Sequence, residues 1–411
     1  MSMKAIQASV LHPDEILALL KFQFSSNASA QKLQHISSPT EKRCFELLFL
    51  TSRSFAAVIL ELEEELRLPI CLFYLILRGL DTIEDDMTIP TERKIKLMED
   101  FHNSIVTKGW TFHENGPNEK DRILLEEFDV VVDEFLKLKP EYRVIISDIT
   151  QKMAAGFIEF IHRKVETLED WDLYCHYAAG LVGHGLTRLF AASGLEDSSL
   201  ASETELANSM GLFLQKVNII RDFLEDYEDG RCFWPKQVWS KYTHDLGDFT
   251  KGEYKEKALE CLSELCTNAL GHAQDCLKYM SLIKNPSCFK FCAIPQVMAI
   301  STIAQVFNNP EVFKTNVKIR KGLAVKLIME ATTMEGIQEI FINFSNEILH
   351  KTIPTHSTFL PVSIWYGQIK SSINAGKFTN GIVPSQKTSP MPNPTFLFIV
   401  FIAVLVWFYY T

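Results

Sequence analysis

Apolar residues recur at helical spacing along most of the chain. From Leu11 to Leu349 they repeat at intervals of three and four residues between polar loops, and few stretches alternate as strands do. Two helix starts are explicit. Pro13 is followed by acids in a first turn, and Ser38 to Glu41 (SPTE) form a capping box with proline at the first helical position. Since the loop at 108–120 separates stretches of similar composition, the pattern predicts one large all-α domain over residues 1–350.

The end of the chain differs from the body. Residues 351–394 contain lysines and prolines but no Asp or Glu, as is typical of a basic linker beside a membrane. Residues 395–411 carry no charged side chain, and as a helix they would extend roughly 25 Å, close to the thickness of a thin bilayer. Because four prolines between 384 and 394 uncouple this segment from a folded core, we expect a C-terminal membrane anchor rather than a buried helix.

The N-terminus and the cysteines indicate a protein that faces the cytosol. The first 20 residues lack a long apolar run and include Asp14 and Glu15, so they do not predict a signal peptide. The nine cysteines are scattered, with no C-x-x-C pair and no ligand spacing for zinc. We therefore expect reduced core cysteines and no disulfide framework.

Composition limits the classes of function. Of 411 residues, 47% are hydrophobic and 22% charged, which is typical of a globular protein and excludes a mainly disordered chain or a polytopic membrane protein. Lys and Arg number 41 against 51 Asp and Glu, a net charge of −10. This balance argues against general nucleic-acid binding. An anionic substrate would need a local cation, and a metal ion is the obvious candidate.

An acidic near-repeat is the most informative motif. Asp81 to Asp86 (DTIEDD) and Asp222 to Asp226 (DFLED) each follow a long, largely apolar run. Residues four apart share one face of a helix, so Asp81/Asp85 and Asp222/Asp226 each present a carboxylate pair of the kind that Mg²⁺ binds together with water and phosphate. A single pair is most often a solvated face. Two copies, each at the end of an apolar run, favour a metal and diphosphate site at the mouth of a helix-lined cavity.

Basic and aromatic residues accompany the acids. Cations in or near the two segments could bind phosphate oxygens, although each could equally be a surface charge or the partner of a nearby acid. Ring faces could stabilise a carbocation, although most Phe residues in helical proteins are simply core. The cations are Arg53, Arg78, Lys216, Arg221 and Arg231, and the rings are Phe55, Phe73, Tyr74, Phe190, Phe289 and Phe291.

The glycine pattern excludes the common nucleotide-binding loops. The sequence contains no P-loop and no G-x-G-x-x-G. The closest approach, Gly180, Gly183 and Gly185, has the wrong spacing and follows a helical pattern. We expect these glycines to allow close helix approach or a local kink.

Longer strings of the sequence resemble the squalene synthase family. They are TSRSFAAVI from Thr51, FYLILRGLDTIEDDM from Phe73, YCHYAAGLVG from Tyr174, NSMGLFLQKVNIIRDFLEDYEDGRCFWP from Asn208, FCAIPQVMAI from Phe291 and VKIRKG from Val317. The resemblance covers nearly the whole chain, including the apolar C-terminus. Phytoene and dehydrosqualene synthases share the acidic motifs but are not expected to share the whole set.

The resemblance implies an all-α isoprenoid synthase with one central cavity. Such an enzyme joins two farnesyl diphosphates head to head into presqualene diphosphate and reduces this intermediate to squalene with NADPH, as a step in sterol synthesis. It implies Mg²⁺ and NADPH as cofactors and a monomer held in the endoplasmic reticulum membrane by its C-terminal helix. The implied metal ligands are Asp81, Glu84 and Asp85 in the first motif and Asp222, Glu225 and Asp226 in the second.

The remaining site residues come from the same resemblance. Tyr174 matches a tyrosine that assists proton removal in the first half-reaction, and Tyr74 matches a second active-site tyrosine. Phe55 and Phe291 match aromatics that line the cavity in the reductive half. Positions near the diphosphates are Arg53, Ser54, Arg78 and Arg221, and Lys318 and Arg320 fall in a basic loop associated with the NADPH phosphates.

Two alternatives remain open from the sequence. One is a synthase that stops at presqualene diphosphate, or makes phytoene, without NADPH. The other is a non-catalytic tail-anchored protein that uses its acidic helices to bind Ca²⁺ or a partner.

Overall fold

The computed structural model describes residues 12–16, 18, 36 and 38–382, without the side chains of Arg53 and Ser54. The chain divides into two units after Gly381, and nearly all described residues belong to the first. The predicted anchor, 395–411, lies outside the described residues, as does the linker from 383 onward.

The all-α prediction is confirmed, since the described part of the chain contains no strand. The helices of the first half are α1 (Pro39–Thr51), α2 (Arg53–Leu60), α3 (Glu64–Asp85), α4 (Thr91–Ser104), α5 (Arg122–Glu126), α6 (Phe128–Phe135), α7 (Pro140–His162), α8 (Leu168–Cys175) and α9 (Leu181–Ser193). Those of the second half are α10 (Thr204–Arg221), α11 (Phe223–Glu228), α12 (Lys236–Trp239), α13 (Lys255–Leu270), α14 (Ala273–Leu282), α15 (Pro286–Val306), α16 (Lys321–Glu330), α17 (Met334–Lys351) and α18 (Phe359–Asn374).

Short 3₁₀ and π-helical segments connect some of these helices. A π-helical segment, His176–Gly180, joins α8 to α9 without a break. Short 3₁₀ segments are Ser198–Ser202, Leu246–Thr250, Gly252–Tyr254 and Pro310–Phe313. π segments are rare and occur frequently at functional sites.

Local sequence signals explain where helices begin. The Ser38 hydroxyl accepts a hydrogen bond from the Glu41 backbone N–H at 3.3 Å, with Pro39 in the first turn, so the predicted start of α1 is confirmed. Thr167 and Asp170 form a capping box at the start of α8, which carries Tyr174. The orientation of Tyr174 therefore rests on a well-defined helix start.

Helix α10 lies at the centre of the fold. It packs against the π segment, α9, α13, α14 and α15. Glycines allow this approach: a Cβ built on Gly211 would lie 2.3 Å from the Ala179 carbonyl oxygen, and one on Gly183 would lie 2.3 Å from the Ala207 carbonyl oxygen. Close helix approach is thus the role of Gly183, as its sequence context predicts.

Helix α15 is long and apolar enough to cross a membrane by length and composition, yet 78% of its most apolar window is buried within the fold. It therefore reads as a core helix. The stretch predicted as linker contains α18, whose buried Val362, Trp365 and Ile369 pack against the rest of the domain, including α17. The packed part of the chain thus extends beyond the boundary predicted at residue 350.

Candidate active site

A cavity lies between α2, α3, α7, the π segment, α9, α10, α14 and α15, and Asp81 of the first acidic motif lines it. The cavity has a volume of about 280 Å³, many times the roughly 15 Å³ that one water needs. Asp81, Arg78 and Asn218 provide polar groups in its wall. The remaining lining is mostly apolar and includes Phe55, Phe73, Tyr74, Met153, Leu186, Met210, Tyr279 and Phe291.

The first acidic motif forms the last turn of α3. Asp81 lies 3.9 Å from Arg78, which also donates a 3.3 Å hydrogen bond to the Tyr74 hydroxyl and lies 3.8 Å from Asp121. Burial raises the pKa of Asp81 to about 7 despite Arg78, and the neighbouring Asp85 and Asp121 add to the rise. Burial, with Asp85 and Asp81, also raises the pKa of Glu84. Ionisation of these carboxyl groups is therefore disfavoured in the absence of an added cation.

The second acidic motif begins where α10 ends. Asp222 is the C-cap of α10 and accepts two hydrogen bonds from Arg221, at 2.8 and 2.5 Å. The Asp226 backbone N–H bonds to the Asp222 carbonyl at 3.0 Å, which keeps the two acids one helical turn apart. Burial, only partly offset by Arg231, raises the pKa of Asp226 to about 7, and Asp222 and Asp85 contribute further.

Arg231 joins the two motifs. Its guanidinium lies 2.5 Å from Asp85 and 3.1 Å from Asp226. The pairing brings together residues 146 positions apart in the chain. The arginine also covers the face of Phe233, with 5.7 Å from its Cζ to the ring centroid. The two motifs thus face each other across a single cation.

Tyr174 is buried beside this cluster. Its ring stacks on Phe233 with centroids 4.8 Å apart and meets the edge of Phe160 at 5.2 Å. Burial raises the pKa of Tyr174 well above its usual value, and the carboxylates of Glu84 and Asp85 add to this rise. The phenol is therefore neutral at physiological pH.

The predicted aromatics lie along the cavity wall. The Phe55 and Tyr74 rings are 5.5 Å apart, and Phe55 is partly exposed at 37%. Phe291 is buried and meets Phe190 edge-on at 6.2 Å. Of the four aromatic residues that the resemblance assigns to the site, Phe55, Tyr74 and Phe291 line the cavity, while Tyr174 lies beside the acids.

The polar residues that the resemblance implies for the diphosphates and for NADPH lie in different places. Arg78 lines the cavity and Arg221 pairs with Asp222, whereas the side chains of Arg53 and Ser54 lie outside the described part of the structure. In the basic loop before α16, Lys318 is exposed and Arg320 pairs with the buried Glu15 at 2.6 Å. The loop also carries Asn316.

Several contacts of the site were not evident from sequence. The Asn316 side chain donates hydrogen bonds to Asp222 at 3.2 Å and Glu225 at 3.3 Å, so the basic loop reaches the second motif. Phe233, which links Arg231 to Tyr174, lies in the RCFWP string, but no local pattern distinguishes it from other Phe residues. Asp121 contacts Arg78 from the end of a polar loop whose sequence gives no indication of this contact.

The donor set suits a hard divalent cation. Within the described residues no group of three or more Asp, Glu, His or Cys side chains forms a ready-made metal cage. The acids of the two motifs nevertheless offer carboxylate oxygens, the ligands that Mg²⁺ prefers. Burial disfavours the ionised forms of Asp81 and Asp226, as their raised pKa values show, and a bound cation would offset that cost. The residues therefore fit Mg²⁺.

Comparison with known proteins gives consistent matches. The family model described as squalene/phytoene synthase matches residues 50–322. Curated squalene synthases are similar over most of the chain. That of Schizosaccharomyces pombe is 52% identical over 80% of this chain and 73% of its own length. The Bos taurus and Homo sapiens enzymes are 48% and 47% identical over 97% of this chain and 94% of their own.

Solved structures agree with the sequence matches. A complex of TcSQS with the ligand E5700 superposes with a TM-score of 0.80 at 41% identity, covering 82% of this chain and 99% of the other. A second complex of TcSQS, with the ligand BPH1237, gives the same TM-score at 40% identity.

Proposed function

Since this chain belongs to the squalene/phytoene synthase family and its similarity supports squalene synthase activity, we propose how its site performs that reaction. Two farnesyl diphosphates condense to presqualene diphosphate, which NADPH then reduces to squalene. One observation carries the proposal: Arg231 links the two acidic motifs, and Asp81 of the first motif lines a largely apolar cavity.

The acids would hold Mg²⁺ against the substrate diphosphates. Asp81 and Asp85 would bind from α3, Asp222 and Asp226 from the end of α10, with Glu84 and Glu225 beside them. Bound Mg²⁺ supplies charge neutralisation for a departing diphosphate.

The arginines complete the diphosphate site. Arg78 lies in the cavity wall next to Asp81, and Arg221 and Arg231 pair with acids of the second motif. Each can exchange its carboxylate partner for a phosphate oxygen, because guanidinium binds both in the same forked geometry. With Arg53 and Ser54, they would stabilise the leaving group as negative charge develops.

The cavity would protect the allylic cation that remains after the diphosphate has left. Water would convert an allylic cation to an alcohol, so the apolar lining matters as much as the metal site. The rings of Phe55, Tyr74 and Phe291 can stabilise positive charge through their faces. This lining separates a coupling reaction from simple hydrolysis.

Tyr174 would assist proton removal in the first half-reaction. Its high pKa means that the phenol is neutral, and a neutral phenol is a weak base. It can act only by passing its own proton on, and a nearby diphosphate oxygen is the available acceptor. Stacking on Phe233 fixes the ring for this transfer.

The reductive half requires a site for NADPH, which supplies hydride when bound. Lys318 is exposed and suits a phosphate contact. Arg320 is held by Glu15, so it would have to share or leave that partner to bind a phosphate. We propose Lys318 as the stronger of the two contacts.

We further propose that the protein is a monomer anchored by residues 395–411 in the endoplasmic reticulum membrane, with its catalytic domain in the cytosol. The absence of charge from this segment and of acids from residues 351–394 supports the proposal.

Neutralising one acid in each motif tests the metal assignment. Asp81→Asn and Asp222→Asn should each abolish Mg²⁺-dependent diphosphate release from farnesyl diphosphate while leaving the protein folded. Asp133→Asn, at an exposed acid on α6, is the matched control and should retain activity. Wild-type turnover in either motif variant would refute the assignment.

A further inference from the structure

The N-terminal half of the exposed face of α18 is apolar, whereas Gln368, Lys370 and Ser371 are exposed in its second half. Val362, Trp365 and Ile369 face the domain, while Leu360 is 64% exposed and Ile364 is 51% exposed. These two residues are four apart and share a side of the helix. Phe359, at 37%, adjoins them, so three of the eleven large hydrophobic side chains exposed in the described residues fall within six positions. The face therefore presents a local apolar surface to its surroundings.

The charges of the C-terminal sequence favour a lipid surface, while Glu260 and Glu264 of α13 lie near Pro361 at the start of α18. No Asp or Glu occurs between Ile348 and Thr411, whereas lysines stand at 351, 370, 377 and 387. On α18 itself, Lys370 lies over the Tyr366 ring at 5.6 Å. A helix with exposed Leu and Ile, lysine and aromatic side chains has the composition of segments that lie in the headgroup region of a bilayer.

The length of chain beyond the domain restricts which face can meet a membrane. After α18 the chain stays on α17, where the Gln338 side chain donates a hydrogen bond to the Phe378 carbonyl at 2.5 Å. Only residues 382–394 separate Gly381 from the uncharged segment 395–411. Whatever their conformation, these residues span at most about 45 Å. A compact domain of this size is roughly 50 Å across, so an anchored segment keeps the exit side of the domain near the bilayer.

We infer that the outer face of α18, formed by Phe359, Leu360 and Ile364, docks on the lipid bilayer and sets the orientation of the catalytic domain. The inference rests on the proposed anchor at 395–411. The face contacts the headgroup and upper acyl region of the membrane, into which the Leu360 and Ile364 side chains insert.

Spin labels on the face test the inference in the full-length chain. Leu360→Cys and Ile364→Cys are prepared in a Cys232→Ser background, because the other eight cysteines are buried. Val144→Cys on α7 is the matched control, since Val144 is as exposed as Leu360, at 64%. The labelled proteins are bound to vesicles of phosphatidylcholine and phosphatidylserine. Collision rates are then measured with oxygen, which concentrates in lipid, and with a water-soluble nickel chelate.

Labels at 360 and 364 should show an oxygen-to-nickel collision ratio several-fold above that at 144. Equal ratios at all three positions in vesicle-bound protein would overturn the docking and leave the anchor standing. Labels at 360 and 364 shielded from both reagents would mean that protein, such as a second copy, covers the face, which would also overturn it. A chain that fails to sediment with vesicles would overturn the anchor and the docking with it.

Discussion

Replacing Arg231 should change metal affinity in opposite directions with and without diphosphate. Arg231 lies between Asp85 and Asp226, so a metal ion that binds between the motifs must displace its guanidinium. Arg231→Gln removes this competitor. The variant should therefore bind Mg²⁺ alone more tightly than the wild type does.

The two ion pairs set the size of the effect. The Asp85 side chain is 45% exposed, and a pair of that kind contributes about 0.5 kcal/mol. The Asp226 side chain is only 16% exposed, and a close ion pair of that kind contributes about 1.5 kcal/mol. Loss of both, about 2 kcal/mol, corresponds to roughly 30-fold tighter Mg²⁺ binding.

In the presence of diphosphate, Arg231→Gln should weaken metal binding instead of strengthening it. Once Mg²⁺ has displaced it, Arg231 is available for a phosphate oxygen, and losing one charge-assisted hydrogen bond weakens binding by roughly tenfold or more. Arg231→Gln should thus weaken the binding of the Mg²⁺–diphosphate complex while strengthening that of Mg²⁺ alone.

Titration calorimetry, or Mn²⁺ titration followed by electron paramagnetic resonance, measures both affinities. Arg231→Lys, which keeps a cation, is the control and should change both affinities less. Unchanged or weaker Mg²⁺ binding by Arg231→Gln without diphosphate would refute the reasoning, because it would mean that Arg231 does not occupy the metal position.

Three further predictions follow from the packing and the charges. Gly211→Ala should lower the free energy of unfolding by about 1–3 kcal/mol in denaturant titrations, because the new Cβ would lie 2.3 Å from a main-chain oxygen of the π segment; Gly367→Ala, with no atom within 4 Å of its new Cβ, should cost nothing. The raised pKa values of Asp81 and Asp226, about 7 in the fold against about 4 unfolded, favour their protonated forms in the fold, so this stabilisation of the metal-free protein is lost as pH rises from about 4 through 7. Mg²⁺ should consequently raise the thermal midpoint more at pH 8 than at pH 6, and an equal rise at both would contradict the assignment. Tyr174→Phe should remain folded but form no presqualene diphosphate, and accumulation of that intermediate would count against the proposed role.

Local signals in the sequence were enough for the fold class. The helical period and the SPTE cap predict helices without knowledge of their neighbours, and α1 begins where the cap predicts. The spacing of Asp81 and Asp85 likewise places both acids in one turn of α3. Such features depend on residues within four positions of each other.

Long-range pairing could not be predicted in the same way. Nothing in either acidic motif specifies that Arg231 joins them, and the partner of Arg320 is 305 positions away at Glu15. The helical period of α18 does not distinguish a packed helix from a linker helix, because that difference depends on what α17 presents to it. These contacts follow from tertiary packing and not from local propensity.

Product analysis tests the central claim most directly. The full-length protein is incubated with labelled farnesyl diphosphate and Mg²⁺, with NADPH present or withheld. We expect squalene only when NADPH is present and presqualene diphosphate when it is withheld. A chain that forms no coupled product under either condition, or that forms the same product under both, would contradict the account.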